Sequence, residues 1–454
     1  MRFEDLIKEI PDYKRFYKVD EMDEHSRQLA EKYPEKVKMY EAGKSRQGHP
    51  INVLQIGNGS KNALLFGCPH PNEPIGAMML EFFSERLATD EELLNYFDYT
   101  WHIIKVIDVD GTKLNEGWFD DSSSIRNYAE GFYRPPGFEQ VEWTFPVDYK
   151  TLKFDNPMPE TEVLMRLMEE KKPEFMFSLH NAGFGGVYYY ITKDSPELYP
   201  IFDRLPKLVN LPLSLGEPEA PYLKTLHPAV YELSPISADY DYIAANSDMD
   251  PATIIKSGSC SDEYASKVAD TFSIVCEMPY YYDPRIEDLS DSDITRKEAR
   301  LFSNDKACQQ HKFLSEIMKE IENEIDKTSP FYSAINNFVE TGGGYLEAER
   351  KEIETNPEMD RPATVAEVFD NKLVIQFYQS LMLGMLKRLI NGSMENNDSQ
   401  VLKDAKEKAD KAFEDKIDYL EDNLNYKTIP IKDLVTVQLM AGLYTADFVL
   451  KGKN

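Results

Sequence analysis

Short apolar runs recur through the first part of the chain, at 50–56, 63–68, 100–107, 175–179, 187–191 and 272–276. Each is rich in Val, Ile, Phe or Tyr and is bounded by Gly, Pro, Asn or Asp, which predicts β-strands. A-L-L-F-G-C and F-S-I-V-C show no polar alternation, so these strands are expected to be buried on both faces of a sheet. Between the runs the apolar period becomes helical. Residues 75–87 form one such segment, opened by Pro74, whose fixed φ suits a helix start. Residues 160–171 form another, with Val163, Leu164, Leu167 and Met168 on one face. Strands alternating with helices predict an α/β fold, a mixed, mostly parallel central sheet flanked by helices.

After about residue 300 the pattern is helical and charged. Residues 299–327, 372–390, 402–425 and 434–450 read as helices. The third alternates Lys with Asp and Glu, as a solvated helix does. T-G-G-G-Y at 341–345 and N-P-E-M-D-R-P at 356–362 predict breaks. The expected organisation is an α/β domain over 1–320 and an all-helical extension over 321–454, without internal repeats.

Charge narrows the partners. Lys and Arg total 51 against 80 Asp and Glu, a formal net charge of −29. Nucleic acid and anionic membrane surfaces both select clustered positive charge, so neither is expected as a partner. Hydrophobic residues make up 42% of the chain, enough to build a core despite that charge. No run approaches about 18 consecutive apolar residues, so no membrane span is expected. The opening M-R-F-E-D-L-I-K-E-I-P lacks the apolar segment of a secretory signal. Cys68, Cys260, Cys276 and Cys308 contain no C-x-x-C spacing and suit buried thiols in a reducing cytoplasm. The oligomeric state is left open.

Chemistry concentrates at predicted strand ends, where open α/β sheets bind ligands. G-C-P-H-P-N-E-P at 67–74 follows one strand and precedes a helix. His70 and Glu73, three residues apart, can be turned toward one cation, and their nitrogen and oxygen donors suit Zn²⁺. H-x-x-E alone is weak; its strand–turn–helix context is what singles it out. F-M-F-S-L-H-N-A-G places His180 just past another strand. With His70 and Glu73 it makes a His₂Glu set, leaving a fourth position open for water. F-S-I-V-C-E-M-P ends a third strand on Glu277, a carboxylate costly to bury unless paired or functional. Beside a metal-bound water it suits a general base.

Together these motifs resemble the zinc metallocarboxypeptidase family of the carboxypeptidase A type, over roughly residues 40–285. H-P-N-E, the D-V-D-G turn at 108–111, S-L-H and V-C-E stand in the family's order and separations. M-P-E-T-E at 158–162 is similar to the segment opening the helix before the third ligand. S-G-S-C-S-D at 257–262 is similar to the family's pocket-lining stretch, which implies Ser259 and Ser261 as substrate contacts. The resemblance implies one Zn²⁺ per chain held by His70, Glu73 and His180, with Glu277 as base. It also implies an arginine stabilising the developing oxyanion; Arg126 in S-I-R-N-Y is the better match and Arg134 in F-Y-R-P-P the alternative. The implied activity is carboxypeptidase-like hydrolysis of a peptide or amide bond. Deacylation of an N-acyl amino acid, amidase activity, and a non-catalytic zinc-site binding protein are the alternatives. One departure stands out. Where the family has an Asn-Arg pair gripping the substrate's terminal carboxylate, E-W-T-F-P places Glu142 and Trp143. Neither offers a bidentate guanidinium; Glu142 is expected to accept a cation or amine, and Trp143 to stack on one. The family's substrate-capping Tyr is also missing, with Ile254 near its place. The extension lies outside the resemblance.

Overall fold

The computed structural model describes residues 2–452. Nine strands form the central sheet: β1 (Val37–Lys44), β2 (Pro50–Ile56), β3 (Lys61–Gly67), β4 (Tyr99–Ile104), β5 (Phe175–Leu179), β6 (Tyr188–Ile191), β7 (Thr225–His227), β8 (Val230–Glu232) and β9 (Phe272–Glu277). Their spatial order is β1-β2-β4-β3-β5-β9-β6-β8-β7. Pairing is parallel for β4 with β3, β3 with β5, β5 with β9, and β6 with β8. The other four pairings are antiparallel. The sheet is therefore mixed, and its parallel pairings centre on β3, β5 and β9. That centre decides where chemistry collects, because the carboxyl ends of these three strands face the same edge.

Every residue of β5 and of β9 is buried, as their unbroken apolar runs predict. The helices Ile75–Thr89 and Pro159–Lys171 close near the predicted bounds. The T-G-G-G-Y stretch corrects an expectation: it lies inside one continuous helix, Pro330–Thr355. Tertiary packing outweighs glycine's helix penalty there, since a Cβ on Gly344 would stand 2.7 Å from the Ile254 Cδ1.

The region after residue 320 packs directly against the α/β part of the chain. One buried apolar cluster runs from Phe3 through the sheet to Val449. The closing helix, Ile431–Lys451, packs on the helix Ile75–Thr89 and on β5 and β9. Gly442 allows that approach, as a Cβ there would lie 2.8 Å from Phe177. This helix is long and apolar enough to cross a membrane, but 72% of its apolar window is buried inside the molecule. The helix Ile375–Met394 sits equally close to the helix Ile125–Gly131: a Cβ on Gly384 would overlap the Ala129 carbonyl. Arg388 donates to the carbonyls of Gly131, Phe132 and Leu114 at 2.7, 3.1 and 2.9 Å. Nor is the extension wholly helical. Pro362–Thr364 pairs with Asp291–Thr295, and Lys427–Thr428 with Tyr281–Tyr282. All four cysteines are free, and only Cys308 is exposed.

Candidate metal centre

At the end of β3 the chain turns sharply. Cys68 adopts a left-handed φ of 51°, and a side chain on Gly67 would meet the Lys105 carbonyl at 2.5 Å. The Glu73 N–H donates to the His70 carbonyl at 3.1 Å, which closes the H-P-N-E turn. The helix Ile75–Thr89 follows, its first N–H donating to Asn181 Oδ1 at 3.0 Å. Asn181 directly follows His180 at the end of neighbouring β5, so the two ligand-bearing turns are tied together. Its own N–H donates to Glu73 Oε2 at 3.1 Å.

His70, Glu73 and His180 are all buried, and one donor atom from each lies within 4.8 Å of the others. His180 Nδ1 stands 3.2 Å from Glu73 Oε2 and 4.0 Å from Glu277 Oε1. His70 Nδ1 is buried with no hydrogen-bond partner. An orphaned imidazole nitrogen, a second imidazole and a carboxylate, sealed from water on most sides, make a donor set that fits zinc. Among the described residues this is the sole group of three such side chains. Burial, then the charges of Arg134 and His180, hold His70 well below the usual imidazole range, so it is neutral, the form that binds metal. His180 goes the opposite way. Burial works against its charged form, but hydrogen bonds to Glu142 and Glu73 raise it well above the ordinary value. Glu277 ends β9 and is pushed well above the usual carboxylate range by burial, then by the charges of Glu73 and Glu219.

The second layer of the site departs from expectation. Glu142 is 5% exposed and fully engaged. Its Oε1 accepts from the Ser261 N–H at 2.8 Å and the Ser261 hydroxyl at 2.6 Å. Its Oε2 accepts from the Ser178 hydroxyl at 3.1 Å, and Ser178 Oγ lies 2.8 Å from His180 Nε2. Glu142 therefore touches His180 through Ser178 and spends both oxygens on protein donors, where the sequence had suggested a substrate amine. Ser261 is spent on the same carboxylate, and Ser259 is fully buried in a two-way backbone bridge to Phe145. Both serines of that stretch are thus tied to the protein through the Phe145 backbone and the Glu142 carboxylate. Trp143 is half-buried, its ring nearly parallel to His70 at a centroid separation of 6.4 Å.

Arg126, the expected oxyanion arginine, is engaged with another helix. It lies on the helix Ile125–Gly131, where its guanidinium meets Glu414, Asp418 and Glu421 of the helix Gln400–Asn423. Those three carboxylates occupy its guanidinium. Arg134 is the arginine that reaches the site: its Nη1 donates to Glu73 Oε1 at 3.1 Å and its Nε to Gln140 Oε1 at 3.2 Å. Beyond its segment opens a cavity of about 570 Å³ lined by Arg46, Tyr133 and Glu139 on one side and by Lys256, Pro330 and Asn337 on others. Helix Pro330–Thr355 thus forms part of that wall.

Two contributors come from the extension. Tyr378 is 41% exposed, and its hydroxyl accepts from the Gly183 N–H at 3.1 Å, three residues past His180. Gln438 is fully buried on the closing helix and donates to the carbonyls of His180 and Cys276. No motif spacing marks either residue. An uncharged Gln flanked by Val437 and Leu439 in the apolar stretch of the closing helix was the available signal for the second.

A family profile described as zinc carboxypeptidase matches residues 22–283, more than half of the chain. No curated protein matches. Among solved structures, the carboxypeptidase A of Helicoverpa armigera aligns at 15% identity and TM-score 0.40, over 75% of this chain and 74% of that one. A metallo-carboxypeptidase from Burkholderia cenocepacia aligns at 14% identity and TM-score 0.33, over 75% and 70% respectively. A putative metallopeptidase from Shewanella denitrificans aligns at 12% identity and TM-score 0.39, over 57% and 81%. These overlays are loose, and the profile match carries the weight.

Proposed function

Because the chain belongs to the zinc carboxypeptidase family, we propose that it hydrolyses a peptide or related amide bond with one zinc held by His70, Glu73 and His180. The observation that carries this reading is the convergence of those three buried donors, with Glu277 4.0 Å from His180 at the same sheet edge. Bound there, zinc supplies Lewis acidity to the scissile carbonyl and to a water. Glu277 takes the proton from that water and passes it to the leaving amine; its burial keeps its proton affinity high enough for the task. Arg134 would stabilise negative charge on the substrate oxygen, a role its hydrogen bond to Glu73 supports. Burial of the cluster excludes bulk water and strengthens each of these interactions.

The clamp segment favours a substrate without a gripped α-carboxylate. Glu142 is consumed by two serines, Trp143 faces His70, and Arg126 is engaged elsewhere. Deacylation or amidase chemistry on the same centre is therefore the second reading. The test joins metal and chemistry. Purified protein should carry about one zinc per chain, as a single three-ligand site requires, and His180→Ala should lose it. Glu277→Gln should keep the zinc while turnover drops at least about 10²-fold. Free-acid peptides, their C-terminal amides and N-acyl amino acids form the substrate panel. Zinc bound in full by His180→Ala, or undiminished turnover in Glu277→Gln, would sink the reading.

A further inference from the structure

The strands that carry a metal ligand and the base run side by side and then separate. β5 and β9 keep parallel register from Phe175 with Phe272 to Ser178 with Val275, where the ladder stops. His180 and Glu277 lie just past that last rung. β9 continues to pair with β6 on its other side, Glu277 opposite Tyr188, and β5 with β3, Leu179 opposite Gly67. Each strand is thus pulled toward a different neighbour, and a fork opens between them under the reacting groups. The carbonyls of Cys276 and His180 at this fork have no strand partner across it.

The Gln438 side chain enters the fork from the closing helix. Its single amide nitrogen donates to His180 O at 2.7 Å and to Cys276 O at 3.2 Å. The residue is fully buried, so water cannot substitute for it. One flat NH₂ group with two hydrogens spans two carbonyls, and in doing so fixes the separation of the two backbones. The carbonyl end of the same amide has no partner. A buried amide left half-satisfied costs stability, and a hydrophobic residue at this position would relieve that cost. A position that sacrifices stability in this way, at the one place where the two site strands part, points to a role beyond packing.

We propose that Gln438 is a positioning residue, which staples the diverging ends of β5 and β9 and so sets where Glu277 stands relative to His180 and the metal. The inference rests on the reading of His180 as a ligand and Glu277 as the base. It assigns the region after residue 320 a direct part in the chemistry: without the closing helix the fork has no staple.

Three full-length variants test it. Gln438→Met matches the shape and removes both donated bonds. Gln438→Asn keeps the amide but is one methylene too short to span the fork. Thr445→Val alters another buried polar position of the same helix and serves as the control. Zinc affinity is read by competition with a chromogenic chelator, kcat and KM by steady-state kinetics, and folding by thermal unfolding of the zinc-loaded protein. Gln438→Met and Gln438→Asn should bind zinc roughly 10-fold more weakly, in the range seen when groups supporting metal ligands are removed. Each should lose at least about 10-fold in kcat with KM nearly unchanged, because ground-state substrate contacts are untouched. Thr445→Val should change neither. The proposal fails if both Gln438 variants shift only the melting temperature and keep wild-type zinc affinity and kcat. It also fails if Thr445→Val reproduces their losses. Should Gln438→Met not fold, Gln438→Asn decides alone. The zinc measurement needs no substrate, so an absence of hydrolysis in the wild type would defeat the functional reading without deciding the staple.

Discussion

Replacing Glu142 by Gln should weaken zinc binding without unfolding the protein, and the reason lies in the direction of a hydrogen-bond chain. In the native site the Ser178 hydroxyl donates to Glu142 Oε2, so its oxygen accepts from His180 Nε2 at 2.8 Å. That polarity fixes one imidazole proton on Nε2, so Nδ1, the nitrogen 3.2 Å from Glu73, is the one that gives up its proton to hold a metal. A glutamine has one orientation available. The Ser261 N–H at 2.8 Å must meet its carbonyl oxygen, so its NH₂ must face Ser178. Ser178 then accepts from the amide and turns its own proton toward His180, which favours the Nδ1–H tautomer. Every hydrogen-bond position stays filled, so folding survives, but the ligand nitrogen is protonated. Losing support of this kind costs roughly 10- to 100-fold in metal affinity, or about 1.4–2.8 kcal/mol. Glu142→Ala differs in kind. It leaves the Ser261 N–H buried and unpaired, at about 1–3 kcal/mol for that group alone, and should lower stability as well. The assay is zinc competition against a chelator of known affinity, paired with urea unfolding of the metal-free protein. If Glu142→Gln binds zinc within about twofold of wild type, the chain of donors does not set the His180 tautomer and the argument is wrong.

Three further outcomes are expected. Arg134→Ala should cut turnover at least about 10²-fold, within the loss recorded when one oxyanion donor is removed, while Arg126→Ala leaves kcat near wild type; the reverse order in kinetic assays would return Arg126 to the oxyanion role. Asp108 is buried, accepts from the Gly111 N–H at 2.9 Å, and is pushed up to about 7 by burial, with Glu160 adding to the shift. The folded protein therefore holds its proton between about pH 4 and 7 while the unfolded chain has lost it, and stability falls as pH rises through that window. Asp108→Asn should remove that slope, matching wild type near pH 4 and exceeding it above pH 7 by up to a few kcal/mol, since one pKa unit is about 1.4 kcal/mol; equal pH dependence of the urea midpoints would refute this. Gly384→Ala should destabilise by at least about 1–3 kcal/mol through overpacking, because the Ala129 carbonyl occupies the space of the new methyl group; an unchanged urea midpoint would mean that the two helices part at little cost.

The elements legible in the sequence are those whose residues answer to a single force. β5 and β9 are buried on both faces and read as unbroken apolar runs. β1 stayed hidden because it is an edge strand with Lys and Glu along it and only Val37 buried, and β7 and β8 span three residues each. The glycines at 342–344 misled because a local breaker signal cannot register Ile254 packed against Gly344. The same division holds at the site. His70, Glu73, His180 and Glu277 stand at strand ends, within short motifs. Glu142 acquires its role only where Ser178 and Ser261 reach it from 36 and 119 residues away, and Gln438 meets His180 across 258 residues. Arg126 was a sound motif match, but the helix that claims it begins at Gln400, outside any motif.

The order in which the chain is made bears on the closing helix. β9 ends at Glu277, so the nine-stranded sheet can pair once that residue has left the ribosome, yet the helix packed on β5 and β9 ends at Lys451. At typical elongation rates that interval is roughly 10 to 30 s. Throughout it, Phe177 and its neighbours present bare apolar surface, the kind that hydrophobic-binding chaperones hold and that aggregates when crowded. A nascent chain stalled between those two points is the species in which such binding should be strongest, and release of the final helix is what should end it.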